Sequence, residues 1–399
     1  MKILQINAVY GILSTGITTK QLSDYLTSNK IDNEVIYGLH EQKGSRAFYI
    51  GSKIRRKVDQ ILSRIFKVNG YFSFLSTIKA LRFIHSYKPD IIHLRNLHEY
   101  YINVPFLLQY IYKKKIAVVI TLHDCFFFTG YCPYYTINNC YKWKTDCLNC
   151  DFYNLNVKRM FSDKYNYLSK IERLAVVGVS DWVTNEARQS KILGNAGIIT
   201  RIYNWIDLDL FKPCENSIVS DLKRKYDIEG KFVILCVSAV WSKRKRLDDI
   251  IAVSESLGDE YRIMLLGDVN ETVHLPANII NIPTQYNISE LVKFYSLADV
   301  FMHLSLEETF GKVTAEALSC GTPVIVYNST ASPELVSDDC GIVVEEIGDI
   351  NRIIIAIQEI RRKGKGYYSS NCRQYAKRNF CMENNMKEYL DLYNSLLCL

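Results

Sequence analysis

Short runs of Val, Ile and Leu punctuate the chain, separated by longer stretches of mixed character. In the first half they are Ile3–Val9, Asp90–Leu94, Ala117–Leu122 and Leu174–Ser180. In the second half they are Phe232–Ala239, Arg262–Gly267, Asn278–Ile282, Val300–Leu304, Pro323–Tyr327 and Gly341–Val344. They are apolar throughout instead of alternating, the pattern of strands covered on both faces. Intervening segments such as Gln21–Lys30 and Ser289–Leu297 are long enough for helices, so the pattern predicts α/β units around parallel sheets. The series starts afresh near residue 230. Before it, Asn204–Gly230 carries Pro213 and polar residues and reads as a linker with one short helix. Two Rossmann-like, doubly wound domains are therefore expected, residues 1–203 and 204–381, facing a central cleft with ligands at the carboxyl ends of the strands. Met386–Leu399 has helical spacing of apolar positions, and a helix over about 382–399 is expected to pack back on the first domain.

The 399 residues, 48% hydrophobic and 23% charged, are enough for two substantial cores and argue against disorder. No apolar run approaches the ~20 residues of a membrane helix. Gln5 and Asn7 interrupt what would be the core of a signal peptide after Lys2, so a cytoplasmic protein is expected. The net charge of +7 is unevenly placed: residues 1–200 hold 27 Lys and Arg against 14 Asp and Glu, the remainder 22 against 28. The basic half suits an anionic membrane surface, a phosphate-bearing acceptor or nucleic acid, and a lysine-rich codon usage leaves the same mark. No nucleic-acid recognition module is visible, and nucleic acid is not expected as a partner.

Four stretches carry candidate chemistry. Glu308-Thr-Phe-Gly-Lys-Val-Thr-Ala-Glu316, then Ala317-Leu-Ser-Cys-Gly-Thr-Pro-Val324, follows the run Val300–Leu304. A glycine between strand and helix lets backbone amides approach a phosphate, and the helix N-terminus favours negative charge. Trp241-Ser-Lys-Arg-Lys-Arg-Leu-Asp248 directly follows Phe232–Ala239 and offers cations where a leaving group would develop charge. Otherwise such a run is a solvated face. Asn7-Ala-Val-Tyr-Gly-Ile-Leu-Ser-Thr-Gly16 lies between the first strand and a helix, and lacks the spacing of a dinucleotide fingerprint. His123-Asp124 ends the run Ala117–Leu122, while His93 and His98 lie in and after Asp90–Leu94. Of these, His93 is expected to be structural and His98 is left open.

These stretches resemble family 4 retaining glycosyltransferases of the GT-B fold. The Glu308-to-Glu316 spacing and the segment Glu316-Ala…Gly321-Thr-Pro-Val324 match the family's E-x7-E and E-A-x-x-x-G-x-P-V patterns. Lys245 matches a family lysine. The family's arginine after the strand is replaced by Ala239 or Val240, with Arg244 as a substitute, and Arg246 stands where glycine is usual. Trp205 similarly replaces the glycine of N-G-[IV]-D. The segments Asn96–Asn103, Thr121–Cys125, Thr129–Cys132 and Cys140–Cys147 resemble a bacterial polysaccharide branch. The resemblance implies a nucleotide diphosphate sugar as donor and a glycan or lipid-linked oligosaccharide as acceptor, in capsule, O-antigen or exopolysaccharide assembly. Transfer would retain configuration without a catalytic metal. His123, Glu308 and Lys245 would be catalytic. Gly16, Arg244, Lys245, Phe310, Gly311, Lys312 and Glu316 would hold the donor, with Glu316 on the ribose. The alternatives are a non-catalytic sugar-nucleotide-binding subunit and a sugar-nucleotide 2-epimerase.

Two features stand outside that scheme. Cys132, Cys140, Cys147 and Cys150 could form a closed structural zinc site, or could be reduced thiols in a loop. Lys53–Lys67 interleaves cations with Ile54, Val58, Ile61, Leu62 and Ile65, which suit one helical face. That segment is either a membrane-surface helix, making the protein peripheral, or a core-packed helix with a basic outer face.

Overall fold

The computed structural model describes residues 1–42, 44 and 46–399. Two compact units are formed, one by Met1–Tyr203 with Asn385–Leu399, the other by Asn204–Asn384.

The first unit opens with β1 (Lys2–Asn7), α1 (Leu13–Ser28), β2 (Asp32–Tyr37), β3 (Ala47–Tyr49), α2 (Lys53–Phe66) and α3 (Phe74–Tyr87). It continues through β4 (Ile91–Leu94), α4 (Val104–Lys114), β5 (Ala117–Leu122), α5 (Val157–Leu168), β6 (Leu174–Gly178), α6 (Asp181–Gln189) and β7 (Ile198–Arg201). Its strands make one parallel sheet in the order β3-β2-β1-β4-β5-β6-β7. The strands β4, β5 and β6 are buried along their whole length, which is why their sequences do not alternate. All four apolar runs of the first half are strands, within two residues at each end.

The second unit comprises α7 (Asn216–Lys225), β8 (Phe232–Val240), α8 (Leu247–Glu255), β9 (Tyr261–Asp268), β10 (Ile279–Ile282) and α9 (Ile288–Leu297). These are followed by β11 (Val300–His303), α10 (Lys312–Ser319), β12 (Val324–Tyr327), β13 (Gly341–Val344), α11 (Ile350–Lys363) and α12 (Lys365–Asn379). The sheet order is β10-β9-β8-β11-β12-β13, again all parallel. A last helix, α13 (Met382–Leu397), returns the chain to the first unit. There Tyr393 Oη lies 2.7 Å from His93 Nδ1, and Tyr389 Oη 2.9 Å from Thr121 Oγ1, so α13 is pinned on β4 and β5.

In each sheet the chain order reverses once, between β1 and β4 and between β8 and β11. Such a switch point splays the loops at the carboxyl ends of the two strands and leaves room for a ligand.

The helix α2 inverts the usual amphipathic arrangement. Its buried side chains are Asp59 and Ser63, while Ile54, Val58, Ile61, Ile65 and Phe66 are each at least half exposed. The core-packed alternative for this segment is therefore incorrect. The cause is polar: Asp59 accepts hydrogen bonds from Ser63 (2.9 Å) and from Ser73, which fixes that side inward. Leaving each such apolar side chain in water forgoes about 1.5–3 kcal/mol of burial. Among the described residues no helix is long and apolar enough to cross a membrane.

Candidate functional site

In the second unit, the loops after β8 and β11 are tied by the Leu306 amide, which donates to the Arg244 carbonyl at 2.9 Å. After β8 the backbone makes a 3-10 turn, Lys243–Lys245, and Arg246 takes φ +53°. That conformation explains why a glycine would suit the position. Arg246 is held there by Asp249, at 2.6 and 2.7 Å.

The turn brings three basic side chains to one carboxylate oxygen. Lys245 Nζ donates to Glu308 Oε1. Arg244 Nη1 reaches the same oxygen at 3.2 Å and the Glu307 carbonyl at 2.6 Å. His303 Nε2 lies 3.3 Å away, its Nδ1 being 2.9 Å from Thr314 Oγ1. Burial alone would raise the Glu308 pKa, but Lys245, His303 and Arg244 hold it well below the usual carboxylate range. Burial lowers the Lys245 pKa, with Glu308 opposing and Arg244 adding to the shift. Burial and Lys245 lower that of His303, so its imidazole is neutral at pH 7. A cation cluster in contact with a carboxylate can exchange that partner for an incoming anion.

Four residues later the chain enters α10. Gly311 has φ +87°, and a Cβ there would lie 3.3 Å from Leu335 Cδ1. The Thr314 and Ala315 amides bond back to its carbonyl, at 2.9 and 3.2 Å, so the helix dipole begins beside the Lys245–Glu308 pair. Phe310 is buried edge-on against Phe380, with ring centres 5.5 Å apart. Glu316, in the body of α10, accepts from Tyr295 Oη at 2.9 Å and lies 3.8 Å from Lys312 Nζ. Burial raises its pKa against the pull of Lys312.

In the first unit, Asn7 staples the switch point. Its Oδ1 accepts the Asn96 amide at 3.1 Å, and its Nδ2 donates to the Val9 carbonyl at 2.8 Å. Gly16 closes the β1–α1 loop. A Cβ there would stand 3.0 Å from Val9 Cγ2 and 3.2 Å from the Tyr10 amide, so the loop packs on α1 because that side chain is missing. His123, at the end of β5, is reached by Arg95, directly after β4. Arg95 Nε and Nη2 lie 3.1 and 2.9 Å from His123 Nε2. The guanidinium is fully buried, also donates to Gln5 (3.3 Å) and Thr18 (3.0 Å), and forms no ion pair among the described residues. Burial and Arg95 together lower the His123 pKa well below its ordinary value. His98 differs: despite burial, bonds to Asp124 (2.8 Å) and Glu99 (3.4 Å) raise it to about 10. His93 is wholly buried between Tyr393 and Thr121.

Arg95, His303 and Tyr295 were not among the residues expected from sequence. Arg95 had a legible signal, since it follows a strand directly, as His123 does. His303 and Tyr295 sit inside apolar runs and show only through the fold.

The zinc expectation needs correction. Cys132, Cys140, Cys147 and Cys150 line one small cavity with Gly130 and Val157. Yet the described residues contain no group of three or more His, Cys, Asp or Glu placed to hold a metal ion. The donor set as arranged does not fit a four-thiolate centre.

Comparison with known proteins bears on these two clusters. Residues 219–379, which include the Lys245–Glu308 cluster and Glu316, match the family described as glycosyl transferases group 1. The chain is 24% identical over 324 residues to a protein named for colanic acid biosynthesis, the glycosyl transferase WcaC of Escherichia coli, with 77% of each covered. A glycosyltransferase structure from Rickettsia africae superposes with a TM-score of 0.71 at 18% identity, covering 99% of this chain and 98% of that one. Anabaena HepE, solved with UDP-glucose, superposes at 0.67 and 17% identity, covering 99% of this chain and all of HepE. The chain therefore has the GT-B fold of two Rossmann-like units, and its residues 219–379 match the glycosyl transferases group 1 family.

Proposed function

We propose that this protein transfers a sugar from a nucleotide diphosphate sugar to a glycan acceptor with retention of configuration, in bacterial surface polysaccharide assembly. The observation that carries the reading is the convergence of Lys245 and Arg244 on Glu308, beside Gly311 and the start of α10. In this reading the donor diphosphate displaces the Glu308 carboxylate from the two cations. The bond from the anomeric carbon to the leaving phosphate oxygen breaks, and the cations and the α10 amides meet the charge that develops. The acceptor oxygen bonds to the same face of that carbon, and its proton passes to the departing phosphate. No step calls for a metal ion. Once displaced, Glu308 is assigned to hydroxyls of the transferred sugar. Glu316 is assigned to the ribose, with Tyr295 fixing its carboxylate.

His123 is assigned a contact to the transferred sugar. Because arginine only donates, His123 Nε2 is an acceptor and the ring proton sits on Nδ1. The residue therefore serves as a hydrogen-bond donor instead of a base. WcaC's name supports the polysaccharide setting, and the UDP-glucose of HepE supports a nucleotide-sugar donor.

A nucleotide-release assay over UDP-, GDP- and other activated sugars, with chelator present, tests the reading. Release from one donor that is lost in Glu308→Ala and Lys245→Ala supports it. Donor binding without release in any acceptor mixture favours a non-catalytic subunit. Conversion of the donor without acceptor favours a 2-epimerase. The sequence feature behind the non-catalytic alternative is the missing arginine at Ala239 or Val240. It is offset by Arg244, which supplies the second cation.

A further inference from the structure

We propose that the outward face of α2, together with Phe74 and Leu75 at the start of α3, docks the protein on an anionic lipid surface. Ile54, Val58, Ile61 and Ile65 recur at steps of four, three and four residues and so form one stripe along the helix. All four are at least half exposed, as are Phe66, Phe74 and Leu75 nearby. Single exposed apolar residues need no explanation, but a contiguous stripe marks a contact surface. The stripe cannot turn inward, because Asp59, which accepts from Ser63, ties the opposite side of the helix to Ser73.

Charge selects the occupant. Exposed Lys53, Arg55, Lys57 and Arg64 lie along the helix, and its one acidic residue, Asp59, is buried. Arg55 also lines an open groove with Lys79, Arg82, Phe48 and Leu75. An apolar ridge with a cationic rim matches a bilayer, where acyl chains lie beneath a layer of phosphates. A second copy of this chain would set cation against cation, and nucleic acid would leave the aliphatic stripe without a partner.

The test is co-sedimentation of the full chain with phosphatidylcholine vesicles, with and without phosphatidylglycerol, at low and high salt. Binding is expected only with the anionic lipid and is expected to weaken as salt rises. Ile61→Asp with Ile65→Asp should abolish it. Lys57→Gln with Arg64→Gln should weaken it roughly thirtyfold. All four changes are at exposed positions, so circular dichroism and thermal unfolding should be unchanged and confirm folding. No binding to anionic vesicles would overturn the proposal, as would binding indifferent to both pairs of substitutions. So would a dimer in sedimentation equilibrium that Ile61→Asp dissociates, which would assign the face to a second copy. The assay contains no donor, so its outcome is independent of the transfer reading.

Discussion

Arg95 places Nε and Nη2 within 3.1 Å of Nε2 of His123, and thereby decides which ring nitrogen carries the proton. Two residues from adjacent strand ends thus act as one unit. Burial, together with this guanidinium, which has no carboxylate partner among the described residues, also lowers the imidazole pKa. Arg95 is a positioning residue, and its removal should change the ionisation of His123 as well as the rate. In Arg95→Met the imidazole pKa should rise, moving the acid limb of the pH–kcat profile to higher pH. The rate at the optimum should fall roughly 10–100-fold from lost orientation. A profile that keeps its shape would show that Arg95 only packs.

Glu308 and Lys245 should fail differently. Either alanine substitution should lower kcat by about 10²–10³-fold, the usual cost of removing one transition-state contact. Stability should separate them. Lys245→Ala leaves Arg244 to pair Glu308, whereas Glu308→Ala leaves Lys245 and Arg244 facing each other with no anion. Thermal unfolding should show the larger loss in Glu308→Ala, on the order of 1–3 kcal/mol because the pair is not fully desolvated. Added nucleotide diphosphate should restore part of it.

Glu316→Gln and Tyr295→Phe should weaken nucleotide binding without abolishing it. The first removes the charge that accepts hydroxyl protons, and the second frees the carboxylate that Tyr295 holds at 2.9 Å. Calorimetry should show about a tenfold loss for Glu316→Gln and a smaller one for Tyr295→Phe. The wild-type preference for ribo- over 2′-deoxynucleotide should shrink in both.

His98 gives a pH signature of its own. An unfolded histidine titrates near 6.5, while the native ring, raised to about 10 by Asp124 and Glu99, holds its proton more tightly. The resulting stabilisation is complete below the unfolded value and disappears as pH rises through the native one. Unfolding midpoints of wild type and His98→Gln should therefore differ most at about pH 6 and converge towards pH 10.

The strands were legible because burial on both faces leaves an uninterrupted apolar run, as in Ala117–Leu122. The strand β2 was not, because Asn33 and Glu34 break its run. Asn33 is nevertheless buried, with Ser23 at 2.6 Å and Thr27 at 3.0 Å satisfying its amide. The strand β3 is too short to show a pattern, and β7 is only half buried. Spacing singled out Glu308, Gly311 and Glu316, because a strand-to-helix turn fixes it locally. Arg95 and His303 depend on which strands become neighbours at the switch points, and no local window contains that. The apolar stripe of α2 was legible, but its direction was decided by Ser73, ten residues beyond the nearest polar anchor on the helix.

The last helix has a consequence for how the chain is made. Tyr389 and Tyr393 complete the hydrogen bonds of Thr121 and His93, which lie in the central strands of the first sheet. The first unit is therefore sealed by residues that emerge only after the second unit has been made. Until α13 arrives, His93 and Thr121 have each other but lack their tyrosine partners, and the apolar surface around them is open to water. A chain that stopped short of α13 would leave an unfinished first unit, a natural target for chaperones and proteases.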